Sequence, residues 1–409
     1  MADFYQNGII TTLHNLSRRP VEDLEKELVQ FGKRRPMGLI LPSLFSELEG
    51  PALSNIVDEI AKVPYLTEIV IGLDRATEEQ YKFALEFFSR LPQNVTVLWN
   101  DGPRLQSLHR ELAALGLAPK EPGKGRNVWY CMGFMLSSGK SESIALHDCD
   151  IVTYKRDLLA RLIYPVAHPQ FNYEFCKGYY ARIADDKING RVCRLMVTPL
   201  LRALKKIYGE TEYLQYMDSF RYSLAGEFSF RRDVLSDLRI PSDWGLEIGV
   251  LSEVHRNYAN NRLCQVDIAD TYDHKHQDLS ADDAEKGLSK MSIDIAKALF
   301  RKLATQGTTF NSETFRSVKA TYYRVALDLI ETYHNDAVMN GLKLDIDNEE
   351  RAVELFAKNI VSAGEEFLER TMETPFIPSW NRVESAMPDV FERFQAAVAA
   401  DYKEYGLKK

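Results

Sequence analysis

No apolar stretch in this chain approaches the roughly 20 residues that a helix needs to cross a bilayer, so a membrane span is not expected. Residues Met1 to Asn7 carry no basic segment followed by an apolar one, so no secretory signal is expected either. Long basic blocks are missing and the net charge is -8, which argues against nucleic acid as a partner. The five cysteines (Cys131, Cys149, Cys176, Cys193, Cys264) are odd in number, scattered and without Cys-x-x-Cys spacing. They read as reduced thiols of a cytoplasmic protein, not as a zinc site or a disulfide framework. No internal repeat and no low-complexity segment interrupts the 409 residues, a length that suits one large domain or two ordinary ones.

What is present is alternation. Apolar runs at 37–41, 66–72 and 95–99 read as strands, and amphipathic segments at 52–63, 78–91 and 104–115 read as the helices between them. This is the pattern of an open parallel α/β sheet, which binds ligands outside the carboxyl ends of its strands. The polar residues that follow those strands, Ser43 to Glu47, Asp74 and Asp101, would share that edge.

The strongest such end is Ser143-Ile144-Ala145-Leu146-His147-Asp148-Cys149-Asp150. In extended chain, residues i and i+2 point the same way, so Asp148 and Asp150 can share one target. Two hard oxygen ligands suit Mg²⁺ or Mn²⁺ carrying a phosphate; a polar turn after a core strand would look the same. Gly123-Lys124-Gly125 precedes a helix and reads either as a surface turn or as a loop whose glycines admit a phosphate beside Lys124. It is not a P-loop, which needs a further glycine five residues earlier and Ser or Thr after the lysine. Arg191 and Arg194, close to Gly190, could grip an anion or solvate a helix start. Glu247 sits in an apolar surround, where a carboxylate must be neutral, paired or functional. His274 and His276 follow a last strand at 265–268 and could supply a metal ligand or an exposed turn.

Taken in order, these motifs resemble the glucosyl-3-phosphoglycerate synthases of glycosyltransferase family 81, a GT-A fold group of retaining enzymes. The resemblance covers about residues 37–290. It rests on Pro42–Glu47, Gly123-Lys124-Gly125, Asp148-Cys149-Asp150, Gly190-Arg191-Val192, Gly226-Glu227-Phe228, Trp244–Gly249 and His274. It implies an α/β fold of GT-A type with an open, mostly parallel sheet flanked by helices. By the same resemblance Ser43, Leu44 and Glu47 cradle the donor uridine, with Asp74 also on the donor side, and Lys124 faces the phosphates. Asp150 and His274, with Asp148 nearby, hold Mg²⁺ or Mn²⁺, while Glu247 holds sugar hydroxyls at the reaction centre. Gly190, Arg191, Cys193 and His276 fall at the acceptor. The chain departs from the family pattern at Phe45-Ser46 (Asn-Glu in the family), at Cys193 (often threonine) and at His276 (often asparagine).

The implied reaction moves glucose from UDP-glucose to the 2-hydroxyl of 3-phosphoglycerate with retention. Free glycerate as acceptor, a mannosyl product from a GDP-sugar, a nucleotidyltransferase and a non-catalytic nucleotide-sugar sensor are the alternatives. A product of the glucosylglycerate type would place the chain in compatible-solute or polysaccharide-precursor synthesis. Residues 1–35 are expected to form an N-terminal appendage and 36–278 the catalytic domain. Residues 279–409 are expected to form a C-terminal all-helical subdomain that caps the catalytic domain or forms a homodimer interface.

Overall fold

Residues 37–44 are apolar on both faces, as a strand covered by helices on each side must be, and they run through the middle of an eight-stranded sheet. The structure is a computed structural model and describes residues 6, 8–17, 19–274 and 287–406. Its strands are β1 (Thr11–Leu13), β2 (Met37–Leu44), β3 (Leu66–Asp74), β4 (Val95–Trp99), β5 (Ser143–Leu146) and β6 (Phe175–Tyr180). A two-stranded hairpin follows, β7 (Ile183–Ala184) and β8 (Lys187–Ile188), then β9 (Phe228–Arg231) and β10 (Leu263–Ala269). The main sheet runs β1-β10-β6-β9-β5-β2-β3-β4. All its pairings are parallel except those of β9, which is antiparallel to both β5 and β6, with Ser229 opposite Ala145 and Cys176.

Alternate residues of each strand serve opposite faces. Leu39, Leu41, Ile69 and Ile71 pack with helices Pro51–Ile60, Glu78–Phe88 and Arg156–Ala167, whereas Ile40, Val70 and Leu98 pack with helix Lys124–Ser138. Pro42 lacks an N–H and lies past Ile40, the last residue of β2 that β5 pairs, while the pairing with β3 continues there, Pro42 standing opposite Gly72.

The C-terminal part is helical, as expected: Gly287–Thr305, Ser312–Met339, Ile346–Glu369, Trp380–Ala386 and Val390–Tyr405. It is bolted to the sheet domain rather than set apart from it. Trp380 stacks on Trp129 at 4.1 Å and donates its indole N–H to the Trp129 carbonyl, while the Trp129 indole donates to the Pro378 carbonyl. Helix Val390–Tyr405 covers the β4 edge, where the Val97 amide donates to the Tyr402 hydroxyl at 2.7 Å. Covering an edge in this way removes a free template for strand pairing.

One expectation needs correction. The N-terminal segment, expected as an appendage, contributes β1, which pairs with β10 from Thr11 to Leu13. β6 ends at Tyr180, where the chain turns into the β7–β8 hairpin. Residues 281–286, at the start of the helical region, lie outside the described residues.

Candidate active site

Every predicted site residue except His276, which lies outside the described residues, lines one cavity of about 1870 Å³. Ligand sites are commonly about 300–1,000 Å³, so there is room for two substrates at once. The cavity opens at the carboxyl ends of β2, β3 and β5, and its other walls come from the C-terminal helices and residues 372–378.

At its floor lies Lys124, the first residue of helix Lys124–Ser138. Its ammonium is 2.7 Å from Asp148 Oδ1 and 3.1 Å from Glu247 Oε1. Burial opposes the charge on Lys124, but the two carboxylates outweigh it and push its pKa well up. Burial likewise works against ionised Asp148, yet Lys124 holds that carboxyl below its usual range. Gly226 faces the pair: a Cβ there would lie 2.4 Å from Asp148 Oδ2 and 2.9 Å from Lys124 Nζ. The glycine of Gly226-Glu227-Phe228 is therefore required by close approach. Gly125 has a similar duty, since its Cβ would lie 2.1 Å from the Pro241 carbonyl oxygen. Its place in Gly123-Lys124-Gly125 thus reflects packing on Pro241.

Asp148 therefore faces the lysine, and Asp150 takes a different neighbour. Ile151 and His274 form an antiparallel bridge, supported by the Val152 amide donating to the Asp273 carbonyl, and this places His274 Nδ1 3.6 Å from Asp150 Oδ2. Asp150 Oδ1 is buried and accepts no hydrogen bond. An orphaned carboxylate oxygen beside an imidazole fits a divalent cation. Among the described residues no group of three or more His, Cys, Asp or Glu side chains converges for a metal.

The end of the cavity at β2 and β3 is closed by hydrogen bonds within the protein. Glu47 Oε2 accepts from Ser43 Oγ and from the Leu44 amide, both at 3.0 Å. Burial pushes the Glu47 carboxyl up to about 7, with the Leu44 amide pulling the other way and Asp150 adding to the rise. Asp74 Oδ1 accepts from Asn100 at 2.7 Å and lies 3.3 Å from Arg126, which also reaches Asp101 at 3.1 Å. Arg126, inside an apolar helix, was not singled out from the sequence. After the β7–β8 hairpin, Arg191 Nε donates to Glu349 Oε1 at 3.0 Å, and the Cys193 thiol lies buried 3.7 Å from Ser223 Oγ.

Three further buried groups escaped sequence reasoning. His147 donates from Nδ1 to the Asp148 carbonyl and accepts at Nε2 from the Tyr154 hydroxyl; burial pushes it down to about 4, so it is a neutral prop under Asp148. Lys177 is fully buried in β6, donates to the Ala225 carbonyl, and is pushed by burial down to about 8. Glu227 accepts from the Tyr272 and Tyr180 hydroxyls at 2.5 and 3.0 Å, and burial raises its pKa. A lone lysine within the aromatic run Tyr173–Tyr180 was the one signal available for Lys177.

A mostly parallel sheet flanked by helices, with an Asp/His pair at its strand ends and a helix-start lysine in the same cavity, is the architecture of a GT-A type glycosyltransferase. No family model matches the chain. A curated glucosyl-3-phosphoglycerate synthase of Persephonella marina is 48% identical over 401 residues, covering 98% of this chain and 99% of the relative. One from Methanococcoides burtonii is 40% identical over 411 residues and covers 100% of both chains. The chain belongs to the glucosyl-3-phosphoglycerate synthase family. Two solved structures share the fold. A Mycobacterium tuberculosis glucosyl-3-phosphoglycerate synthase with Mn²⁺, uridine-diphosphate-glucose and phosphoglyceric acid has TM-score 0.52 and 21% identity, over 72% of this chain and 87% of that one. A mannosyl-3-phosphoglycerate synthase from Rubrobacter xylanophilus has TM-score 0.54 and 21% identity, over 73% and 83%.

Proposed function

We propose that the chain transfers glucose from UDP-glucose to the 2-hydroxyl of 3-phosphoglycerate with retention, giving glucosyl-3-phosphoglycerate. The observation that carries this reading is the pairing of Lys124 with Asp148 and Glu247 beside the Asp150–His274 pair, opposite a cationic wall. Arg182, Lys187, Arg191 and Lys343 all line the acceptor side of the cavity. Such a wall suits an acceptor carrying both carboxylate and phosphate, more than free glycerate.

Ser43, Leu44, Glu47 and Asp74 form the nucleoside end. Asp150 and His274 would hold Mg²⁺ or Mn²⁺, which when bound neutralises charge gathering on the diphosphate. Lys124 supplies a fixed positive charge to the same departing group. Glu247, paired with that lysine, accepts hydrogen bonds from sugar hydroxyls and fixes the ring. Gly190, Arg191 and Cys193 receive the acceptor. The acceptor 2-hydroxyl oxygen bonds to the anomeric carbon on the face from which the diphosphate leaves. The bond from that carbon to the phosphate oxygen breaks, and the hydroxyl proton passes to that departing oxygen. No protein nucleophile is invoked.

Location in the cytoplasm, assembly as a homodimer and a role in compatible-solute synthesis belong to the same proposal. All five thiols are free and buried, which fits a reducing compartment. A matrix of UDP- and GDP-sugars against glycerate, 2-phosphoglycerate and 3-phosphoglycerate tests the activity, with product NMR reporting the anomer. Turnover with UDP-glucose and 3-phosphoglycerate to an α-glucoside is expected. Preference for free glycerate or for a GDP-sugar would overturn the substrate assignment.

A further inference from the structure

The two arginines of Gly190-Arg191-Val192-Cys193-Arg194 are joined by one carboxylate from a distant part of the chain. Glu349, in the first turn of helix Ile346–Glu369, is 3% exposed. Its Oε1 accepts from Arg191 Nε at 3.0 Å and its Oε2 lies 2.8 Å from Arg194 Nη1. The two arginines are not equivalent. Arg194 also donates to the carbonyls of Asn189 at 2.9 Å and Ile188 at 3.3 Å, and its guanidinium lies 4.9 Å over the Tyr333 ring. It thus has partners besides Glu349, although its Nη1, close to Glu349, makes no hydrogen bond. Arg191 keeps 27% of its side chain exposed and lines the cavity, and among the described residues Glu349 is the one side chain hydrogen-bonded to it. A single bond at Nε leaves both Nη groups of Arg191 free to fork onto an incoming carboxylate or phosphate.

The surroundings reinforce the arrangement. The Lys343 amide donates to the Asp186 carbonyl at 2.7 Å, and Lys187 pairs with Lys343 in a parallel bridge. The turn before helix Ile346–Glu369 is therefore docked on the β7–β8 hairpin, and Glu349 is held in register with the arginines.

We propose that Glu349 is a positioning residue for the anionic acceptor: it acts through Arg191, fixing the guanidinium so that its free edge faces the cavity. The inference rests on the assignment of Arg191 to the acceptor. It makes the C-terminal helical region part of the acceptor site and not merely a cover over it.

The test is steady-state kinetics of the full chain with 3-phosphoglycerate and UDP-glucose, on Glu349→Gln, Glu349→Asp, Arg191→Ala and the double variant Arg191→Ala/Glu349→Gln. Glutamine carries one acceptor oxygen and no charge, so it cannot serve both arginines without turning its NH₂ toward one of them. Arg194 has other partners, so Arg191 is the one released. The expected result is an acceptor KM raised about tenfold in Glu349→Gln and less in Glu349→Asp, with the UDP-glucose KM within about twofold of wild type. In the Arg191→Ala background, Glu349→Gln should add nothing to the acceptor KM. An unchanged acceptor KM in folded Glu349→Gln, or a further rise in the double variant, would overturn the positioning role. If Glu349→Gln fails to fold, Glu349→Asp decides: a rise confined to the acceptor KM supports the role, and equal effects on both substrates overturn it. Should Arg191→Ala itself leave the acceptor KM unchanged, the acceptor-site assignment fails instead, which separates the two claims.

Discussion

Lys124 Nζ stands 2.7 Å from Asp148 Oδ1, and the two charges hold each other ionised against burial. With Glu247 also in contact, the lysine is fixed before any substrate arrives, so in the proposed reaction little rearrangement is needed when charge gathers on the departing diphosphate. Preorganisation of this kind is the largest catalytic term in many enzymes. Lys124→Met should lower kcat by about 10²- to 10³-fold while leaving much of the donor affinity in place. Rapid-quench or steady-state kinetics on the folded variant would measure it, and near-normal kcat would remove the lysine from the mechanism.

Gly226 and Gly125 separate activity from stability. A methyl on Gly226 would press on Asp148 and Lys124, the flexible ends of two functional side chains. A methyl on Gly125 would meet the Pro241 backbone, which cannot step aside cheaply. Gly226→Ala should therefore fold with a modest change in Tm and lose at least about tenfold in kcat. Gly125→Ala should lose about 1–3 kcal/mol of stability, as overpacked sites do. Denaturant unfolding and kinetics on both variants would show the contrast; an inactive, equally destabilised pair would refute it.

The part of the site that was legible in the sequence is the part that parallel topology dictates. Strands β2, β3 and β5 run the same way, so Ser43, Asp74 and Asp148 had to reach one edge. The rest depends on long-range placement. His274 reaches Asp150 through a bridge to Ile151, across more than a hundred residues of chain. Glu349 meets Arg191 at a separation of 158 residues, and an isolated glutamate in a helix start carries no mark of its partner. The short polar strand β1 was invisible because Thr-Thr-Leu has no period to read. The reversal of β9 was hidden too, because Phe228-Ser229-Phe230 alternates alike in either direction.

Asp150 and His274 can be tested by metal binding alone. Asp150 Oδ1 is buried with no hydrogen bond, and His274 Nδ1 is 3.6 Å from its other oxygen. Asp150→Asn should abolish the Mn²⁺ dependence of UDP binding seen by titration calorimetry. His274→Ala should weaken Mn²⁺ affinity by at least the roughly 10- to 100-fold seen for supporting residues of metal sites. Asp148→Asn should have a smaller effect on Mn²⁺ affinity, because its carboxylate is taken up by Lys124. Equal losses of metal from Asp148→Asn and Asp150→Asn would mean that both aspartates are ligands and that the lysine contact is given up on binding.

Asp243 allows a stability test with a definite sign. Burial, with Asp294 nearby, pushes its carboxyl up to about 6 from an ordinary value of 3.8, and the Gly245 amide, Arg301 and Lys297 only partly counter this. The folded state therefore holds this proton more tightly than the unfolded chain does. Between about pH 4 and 6 the folded state binds more protons, so this group's contribution to stability falls as pH rises through that window. Asp243→Asn keeps an oxygen for the Gly245 amide, which now donates to Asp243 Oδ1 at 2.9 Å, and removes the titration. The variant should match wild type near pH 4 and exceed it by up to about 2 kcal/mol near pH 7.5. Urea unfolding at four or five pH values would measure the difference. A gap that stays flat with pH would show an Asp243 carboxyl unshifted by folding, and a variant advantage that widens toward acid would show it stabilised as a charged group, with Lys297 and Arg301 outweighing burial and Asp294; either result overturns the prediction.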